Sequence, residues 1–246
     1  MSCLTFGRHL LVVLSLLAAG CSDADTPTPG PTGPDLPDDG LSASCNPLRT
    51  AGACALPFPS AVFQEDDPGT ESGIRNALVA DILPRNDKDA PLDPARLDSV
   101  DGFSVSSQLL AYFPERLDAS SLPSKSDPEQ SLAASSATVV VDMETGERVA
   151  HFSEVDAQVV EDSDRQALIV RPLSGAGGRR YAVAVTRAAR TLAGEAPSSP
   201  PGFQAALARR GAGELGAKQA ARMPAIVAAL EGAGVAGATW CWPGTS

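Results

Sequence analysis

The chain predicts a mainly β fold, a β-sandwich followed by a short C-terminal α-helical tail. Three observations carry that expectation. Short β-branched runs recur between Ala137 and Thr186, each bounded by Gly, Pro, Asp or Ser. Their near-regular spacing, with turn residues between them, is the pattern of a sandwich rather than of alternating strands and helices. After Pro197-Ser198-Ser199-Pro200-Pro201 the composition shifts to an alanine-rich stretch with helical character.

Taken in order, residues 1–20 read as a leader. Arg8 supplies the charged start, Leu10 to Ala19 the apolar middle, and Ala18-Ala19-Gly20 the small residues of a cleavage site. The apolar run is too short for a permanent bilayer span. Residues 21–44 are rich in Pro, Gly and Asp. They hold nothing that makes a core, and their prolines favour an extended, solvated tether. The folded part is expected to begin at Cys45. Cys45 and Cys54 suit a small disulfide loop in an exported chain, and such a ring contributes about 2–3 kcal/mol in the loop-entropy picture. Two unpaired thiols are the alternative. Cys3 lies in the leader and Cys241 is left over.

Leu56-Pro57-Phe58-Pro59 permits only extended or turn geometry. The stretch from Ile82 to Pro94 is turn-rich, and Val105 to Phe113 is apolar. Ala137 to Asp142 reads as a strand, Met143 to Glu147 as a turn with Gly146 at the tight position, and Arg148 to Phe152 as the returning strand of a hairpin. Ala157 to Val160, Gln166 to Pro172 and Arg180 to Thr186 continue the strand pattern. Residues 45–196 are therefore assigned to the sandwich and 197–246 to the tail. Phe203 to Arg210 reads as a short helix. Lys218 to Leu230 reads as a longer one, with Pro224 near its first turn and Gly232 and Gly234 at its end. Ala238 to Ser246 follows no periodicity, and a change of reading frame that ends the chain early is the expectation for it.

Charge excludes some partners. Removing residues 1–20 removes Arg8 and no acid, leaving 18 basic against 30 acidic residues, a net charge of −12. Such a chain is repelled by nucleic acid, whose binding needs phosphate neutralisation. It also has no basic cluster for anionic lipid headgroups.

The string Leu17-Ala18-Ala19-Gly20-Cys21 resembles the lipobox of bacterial lipoproteins. That resemblance implies lipidation of Cys21, a cut before it, and attachment to a membrane of the cell envelope. Each buried lipid methylene contributes about 0.8 kcal/mol, so several acyl chains anchor a domain durably. It leaves open the outer membrane, the periplasmic face and the cell surface. A second resemblance rests on Cys54-Ala55-Leu56-Pro57-Phe58-Pro59-Ser60, on Leu83-Pro84-Arg85-Asn86 with Asp101-Gly102-Phe103-Ser104, and on Ile169 to Leu173 leading to Arg180-Tyr181-Ala182-Val183. These segments are similar to the N-terminal region of large secreted bacterial lipase-like proteins, the "virulence factor lipase N-terminal" type. The resemblance implies an Ig-like region that precedes an α/β-hydrolase domain.

No Gly-x-Ser-x-Gly elbow occurs, so no nucleophilic serine is carried over from that family. Gly69-Thr70-Glu71-Ser72-Gly73 has the wrong spacing. His151 is the sole histidine outside the leader, and a structural or surface histidine is favoured over a general base. Ser104 reads as a turn serine. Asn86, Asp87 and Asp89 offer hard oxygens but miss the EF-hand pattern, and a plain turn is preferred. Glu161-Asp162-Ser163-Asp164 reads as a solvated loop. Gly175 to Arg180 lacks the Lys-Ser/Thr of a phosphate loop. No catalytic, cofactor or metal site is assigned. The expected function is a lipid-anchored, noncatalytic accessory module of a lipase-like protein, partnered by a hydrolase domain or a surface ligand. The alternative is a self-contained adhesion, scaffold or ligand-binding surface lipoprotein.

Overall fold

β-branched and aliphatic residues in short runs favour the pleated, half-buried backbone, and the middle of this chain follows that preference closely. The computed structural model describes residues 42–50, 53–98, 100–159, 166–235 and, by their backbone, 238–245. Its strands are β1 (Gln64–Asp66), β2 (Ile74–Asn76), β3 (Leu109–Tyr112), β4 (Thr138–Asp142), β5 (His151–Val155), β6 (Ala167–Pro172), β7 (Arg180–Thr186) and β8 (Ala238–Thr245). Its α-helices are α1 (Pro201–Leu207) and α2 (Gly213–Gly232). The fold is mainly β, and every strand pair is antiparallel.

β1 and β2 form a small ribbon, and the other strands form two sheets ordered β3-β6-β5 and β4-β7-β8. Register fixes which side chains share a face. Leu109 lies opposite Val170 and Ala111 opposite Leu168, while Ser153 and Val155 oppose Val170 and Leu168 from the other side. That face of the first sheet is buried at Leu109, Ala111, Leu168 and Val170. In the second sheet Thr138, Val140 and Asp142 lie opposite Val185, Val183 and Tyr181. Thr138 reaches the His151 and Ser153 side chains of β5, so this face meets the first sheet. The other face, with Val139, Val141, Ala182 and Ala184, carries α2, which contacts β4, β7 and β8. β4 is thus buried throughout, which is why it reads as an unbroken run instead of an alternation. Small residues at 182 and 184 leave room for the helix. Met223, Ile226 and Leu230 fill that space, each contributing about 1.5–3 kcal/mol.

Several expectations change. The hairpin of 137–142 with 148–152 exists only at its base: Val141 bridges Arg148, and Val149 N–H donates to Val140 at 2.8 Å. β5 then leaves β4 and pairs with β6 in the facing sheet. The turn is local, but the partner is chosen by burial of His151 and Ser153 between the sheets. Ala157 and Gln158 form a turn, not a strand, because Asp156 Oδ1 accepts the Gln158 N–H at 2.9 Å; Val160 lies outside the described residues. The long helix starts at Gly213, so Pro224 sits in its interior instead of its first turn. Pro224 is exposed there, away from the packed side. The tail is helical to Gly232 and then returns as β8, an edge strand on β7. Pro243 is tolerated at such an edge because no partner needs its missing N–H. The β1–β2 ribbon was not foreseen, since Gln64-Glu65-Asp66 and Ile74-Arg75-Asn76 carry no apolar alternation.

Candidate functional site

Two built features stand out: the junction where the chain enters the fold, and a polar chain buried between the sheets. At the junction Cys45 and Cys54 are bonded, with their Cα atoms 4.6 Å apart. The ring between them is tied down by Asn46, which is fully buried. Asn46 Nδ2 donates to Pro57 O at 2.8 Å, its Oδ1 accepts Leu48 N–H at 3.0 Å, and its backbone N–H donates to Cys54 O at 2.8 Å. Leu48, fully buried, drives into the main core. Thr50 Oγ1 reaches Tyr112 O of β3. α1 lies directly against the ring at Gly202, where a side-chain carbon would stand 1.7 Å from Pro47 O. Beyond the ring the Leu56–Pro57 and Phe58–Pro59 bonds are both cis, and Phe58 pairs with Leu110 through both backbone groups.

The polar chain runs from Ser153 through Thr138 to His151. Ser153 Oγ and Thr138 Oγ1 are 2.8 Å apart, and Thr138 Oγ1 is 2.9 Å from His151 Nε2. His151 Nδ1 is 2.8 Å from Val149 O. A carbonyl only accepts, so Nδ1 carries the proton. Nε2 then accepts from Thr138, and Thr138 accepts from Ser153. The His151 backbone N–H donates to Ser131 Oγ. Burial pushes the imidazole below its usual pKa; its contacts with Val149 and Thr138 oppose this, and the Arg148 charge adds to it. The ring is therefore neutral, sealed from solvent and satisfied at both nitrogens. Of the structural and surface roles the sequence left open, burial gives the structural one, with partners the sequence did not show.

Arg148 locks the same region. Its Nη1 donates to Ala133 O at 2.6 Å, and its Nε donates to Ala233 O at the end of α2, where a cation also suits the helix dipole.

The remaining predicted positions are scattered. Ser104 is exposed in a turn, its Oγ 2.9 Å from Ser106 Oγ. Asn86 Oδ1 accepts the N–H groups of Lys88 and Ala90, and Asp89 pairs with Arg85 at 2.6 Å, so this is a self-bonded turn. Among the described residues no group of three or more His, Cys, Asp or Glu is placed to hold a metal ion. Gly175 to Gly178 make the corner between β6 and β7, where Tyr181 Oη accepts Ala176 N–H at 2.7 Å and donates to Ala176 O at 3.1 Å. Gly69 to Gly73 turn β1 into β2. Cys21 and residues 160–165, including the 161–164 acidic cluster, lie outside the described residues. No described helix is long and apolar enough to cross a membrane.

Sequence reasoning missed one feature. Arg180 of β7 and Arg222 of α2 line a common cleft beside the β1–β2 ribbon. Their sequence signals are Arg179-Arg180, at the end of the glycine-rich stretch that lacks a phosphate loop's Lys-Ser/Thr, and the one-turn spacing of Lys218 and Arg222 in an acidic chain. No family model matches the sequence, and no curated protein or solved structure matches it.

Proposed function

We propose that this protein is a lipid-anchored module of the bacterial cell envelope, held to a membrane through Cys21 and displaying a noncatalytic domain on the tether of residues 21–44. The observation that carries the display reading is the junction. The first described residues after the tether run into a covalent ring whose Asn46 and Leu48 are buried in the fold. Tension on the tether therefore falls on a cross-linked, core-seated loop instead of a free strand end. His151 supports the noncatalytic part, because its imidazole is committed to Thr138 and Val149 inside the core.

The domain itself is read as Ig-like. An Ig constant-type sandwich has strands A-B-E-D on one sheet and C-F-G on the other. Taking β3 as B and β4 to β8 as C to G reproduces B-E-D and C-F-G from the observed orders β3-β6-β5 and β4-β7-β8. Phe58, bridged to Leu110 of β3, stands where strand A belongs. Tyr181, at the start of the strand taken as F and bonded to the backbone five residues upstream, has the form of a tyrosine corner. The two helices are then an insertion between F and G that covers the outer face of the C-F-G sheet. This reading is compatible with an accessory role to a lipase-like hydrolase.

Labelled palmitate tests the anchor. Cells expressing the full chain incorporate label into a membrane-fraction band, and Cys21→Ala removes it. Unlabelled wild-type protein, or a cytosolic wild-type fraction, refutes the reading. Turnover of p-nitrophenyl butyrate by the purified chain refutes the noncatalytic part.

A further inference from the structure

The cleft beside the ribbon brings together two arginines that have no ion pair among the described residues. Its walls include Ile74, Met143, Arg180, Arg222 and the acids Glu65 and Asp66, around about 540 Å³ of space that opens to solvent. A second hollow shares Ile74, Met143 and Arg180 and continues it past Arg179.

The neighbouring charges are already committed. Arg75 pairs with Glu65 at 2.7 Å and approaches Asp67 at 3.9 Å. Arg179 pairs with Asp142 at 2.7 Å and approaches Glu144 at 3.7 Å. Arg180 and Arg222 have no ion pair among the described residues, and Arg222 Nη1 is buried with no hydrogen-bond partner among them. An unpaired buried guanidinium donor is costly, and a guanidinium meets its donors best with a planar or tetrahedral oxyanion. Arg222 feels the Arg180 charge and is opposed by Asp66, and Lys218, a third cation nearby, is opposed by Glu65, Glu214 and Asp66. Among the lining residues Glu65 is held by Arg75, so Asp66 alone is left to oppose the two arginines.

We propose that this cleft binds a small organic anion, whose carboxylate or phosphate head is held between Arg180 and Arg222 while a short apolar body lies along Ile74 and Met143. The apolar side chains of Ile74, Met143 and Ile226 favour an anion that carries carbon over a bare hydrated one. The site is independent of the lipid anchor and of any catalytic partner.

Calorimetric titration of the full chain at low ionic strength tests it, with butyrate and butyl phosphate as probes and butylammonium as the opposite-charge control. One or both anions bind saturably at one site, and the stronger identifies the head group. Butylammonium gives no saturable heat. Arg222→Gln weakens binding about tenfold, the equivalent of one charge-assisted hydrogen bond. Arg180→Gln, at an exposed position that leaves the fold intact, weakens it as well, and Asp66→Asn strengthens it. The proposal is overturned if neither anion saturates, if butylammonium binds equally, or if Arg180→Gln leaves the affinity unchanged.

Discussion

Gly202 is where the disulfide ring and α1 touch backbone to backbone, so adding one methyl group there tests how the ring is seated. In Gly202→Ala the new Cβ meets Pro47 O at 1.7 Å, Pro47 C at 2.9 Å and Leu48 Cα at 3.6 Å. A carbon–oxygen contact needs about 3.3 Å, so ring and helix must separate by roughly 1.6 Å. Neither partner yields easily. The ring is closed by Cys45–Cys54 and pinned by Asn46, and α1 is fixed by buried Phe203 and Ala206. Overpacking against rigid backbone costs about 3 kcal/mol, the upper end of its usual range. The helix gains back about 1 kcal/mol from replacing glycine. The net loss is about 2 kcal/mol, or a fall in Tm of about 4–8 °C for a domain of this size.

Gly232→Ala is the internal control. The same methyl group at the last residue of α2 meets nothing within 4 Å, so the variant is neutral or slightly stabilised. Urea unfolding of both variants beside the parent measures the difference. If Gly202→Ala is as stable as Gly232→Ala, the ring does not rest on α1 and the seated-junction argument fails.

Two further outcomes follow from the junction and the core. Cys45→Ser with Cys54→Ser lowers stability by about 2–3 kcal/mol, the loop-entropy value for this ring, and dithiothreitol lowers the parent's Tm while leaving the double variant's unchanged. The His151 imidazole has a folded pKa below its unfolded value of 6.5, so its contribution is fully present above pH 6.5 and is lost as pH falls toward the folded pKa. Stability therefore drops by up to about 1.4 kcal/mol per pH unit below 6.5, an excess slope that His151→Gln removes and that chemical denaturation at a series of pH values reads directly.

The legible parts of this fold were those whose cause is local. β6 and β7 stand close to where Gln166–Pro172 and Arg180–Thr186 placed them, because β-branched runs between glycines and prolines leave little else. The Cys45–Cys54 bridge was expected from the spacing of the two cysteines in a chain read as exported. What could not be read depends on distant neighbours. Whether β5 returns along β4 or crosses to β6 turns on burial of His151 beside Thr138, thirteen residues away. Trp240-Cys241-Trp242-Pro243 has no alternation of its own, and β8 forms because β7 offers an unpaired edge. The arginine cleft joins residues 64–74, 143, 180 and 222, four stretches that share no motif.

That dependence sets the size of the folding unit. Residues 45–196, assigned to the sandwich by sequence, lack α1, α2 and β8. Without α2 the face bearing Val139, Val141, Ala182 and Ala184 is bare, and the burial of Met223, Ile226 and Leu230 is lost. At about 1.5–3 kcal/mol per side chain this removes about 5–9 kcal/mol, comparable with the whole stability of an ordinary domain, about 5–15 kcal/mol. β7 also loses the partner that covers one edge. The fragment 45–196 is therefore expected to bind a hydrophobic dye and to unfold without a cooperative transition, while the chain carried through residue 246 unfolds in one step. A fragment that melts cooperatively with native-like far-UV circular dichroism would show that the helices decorate a sandwich already stable alone. The small residues at 182 and 184 would then need another explanation.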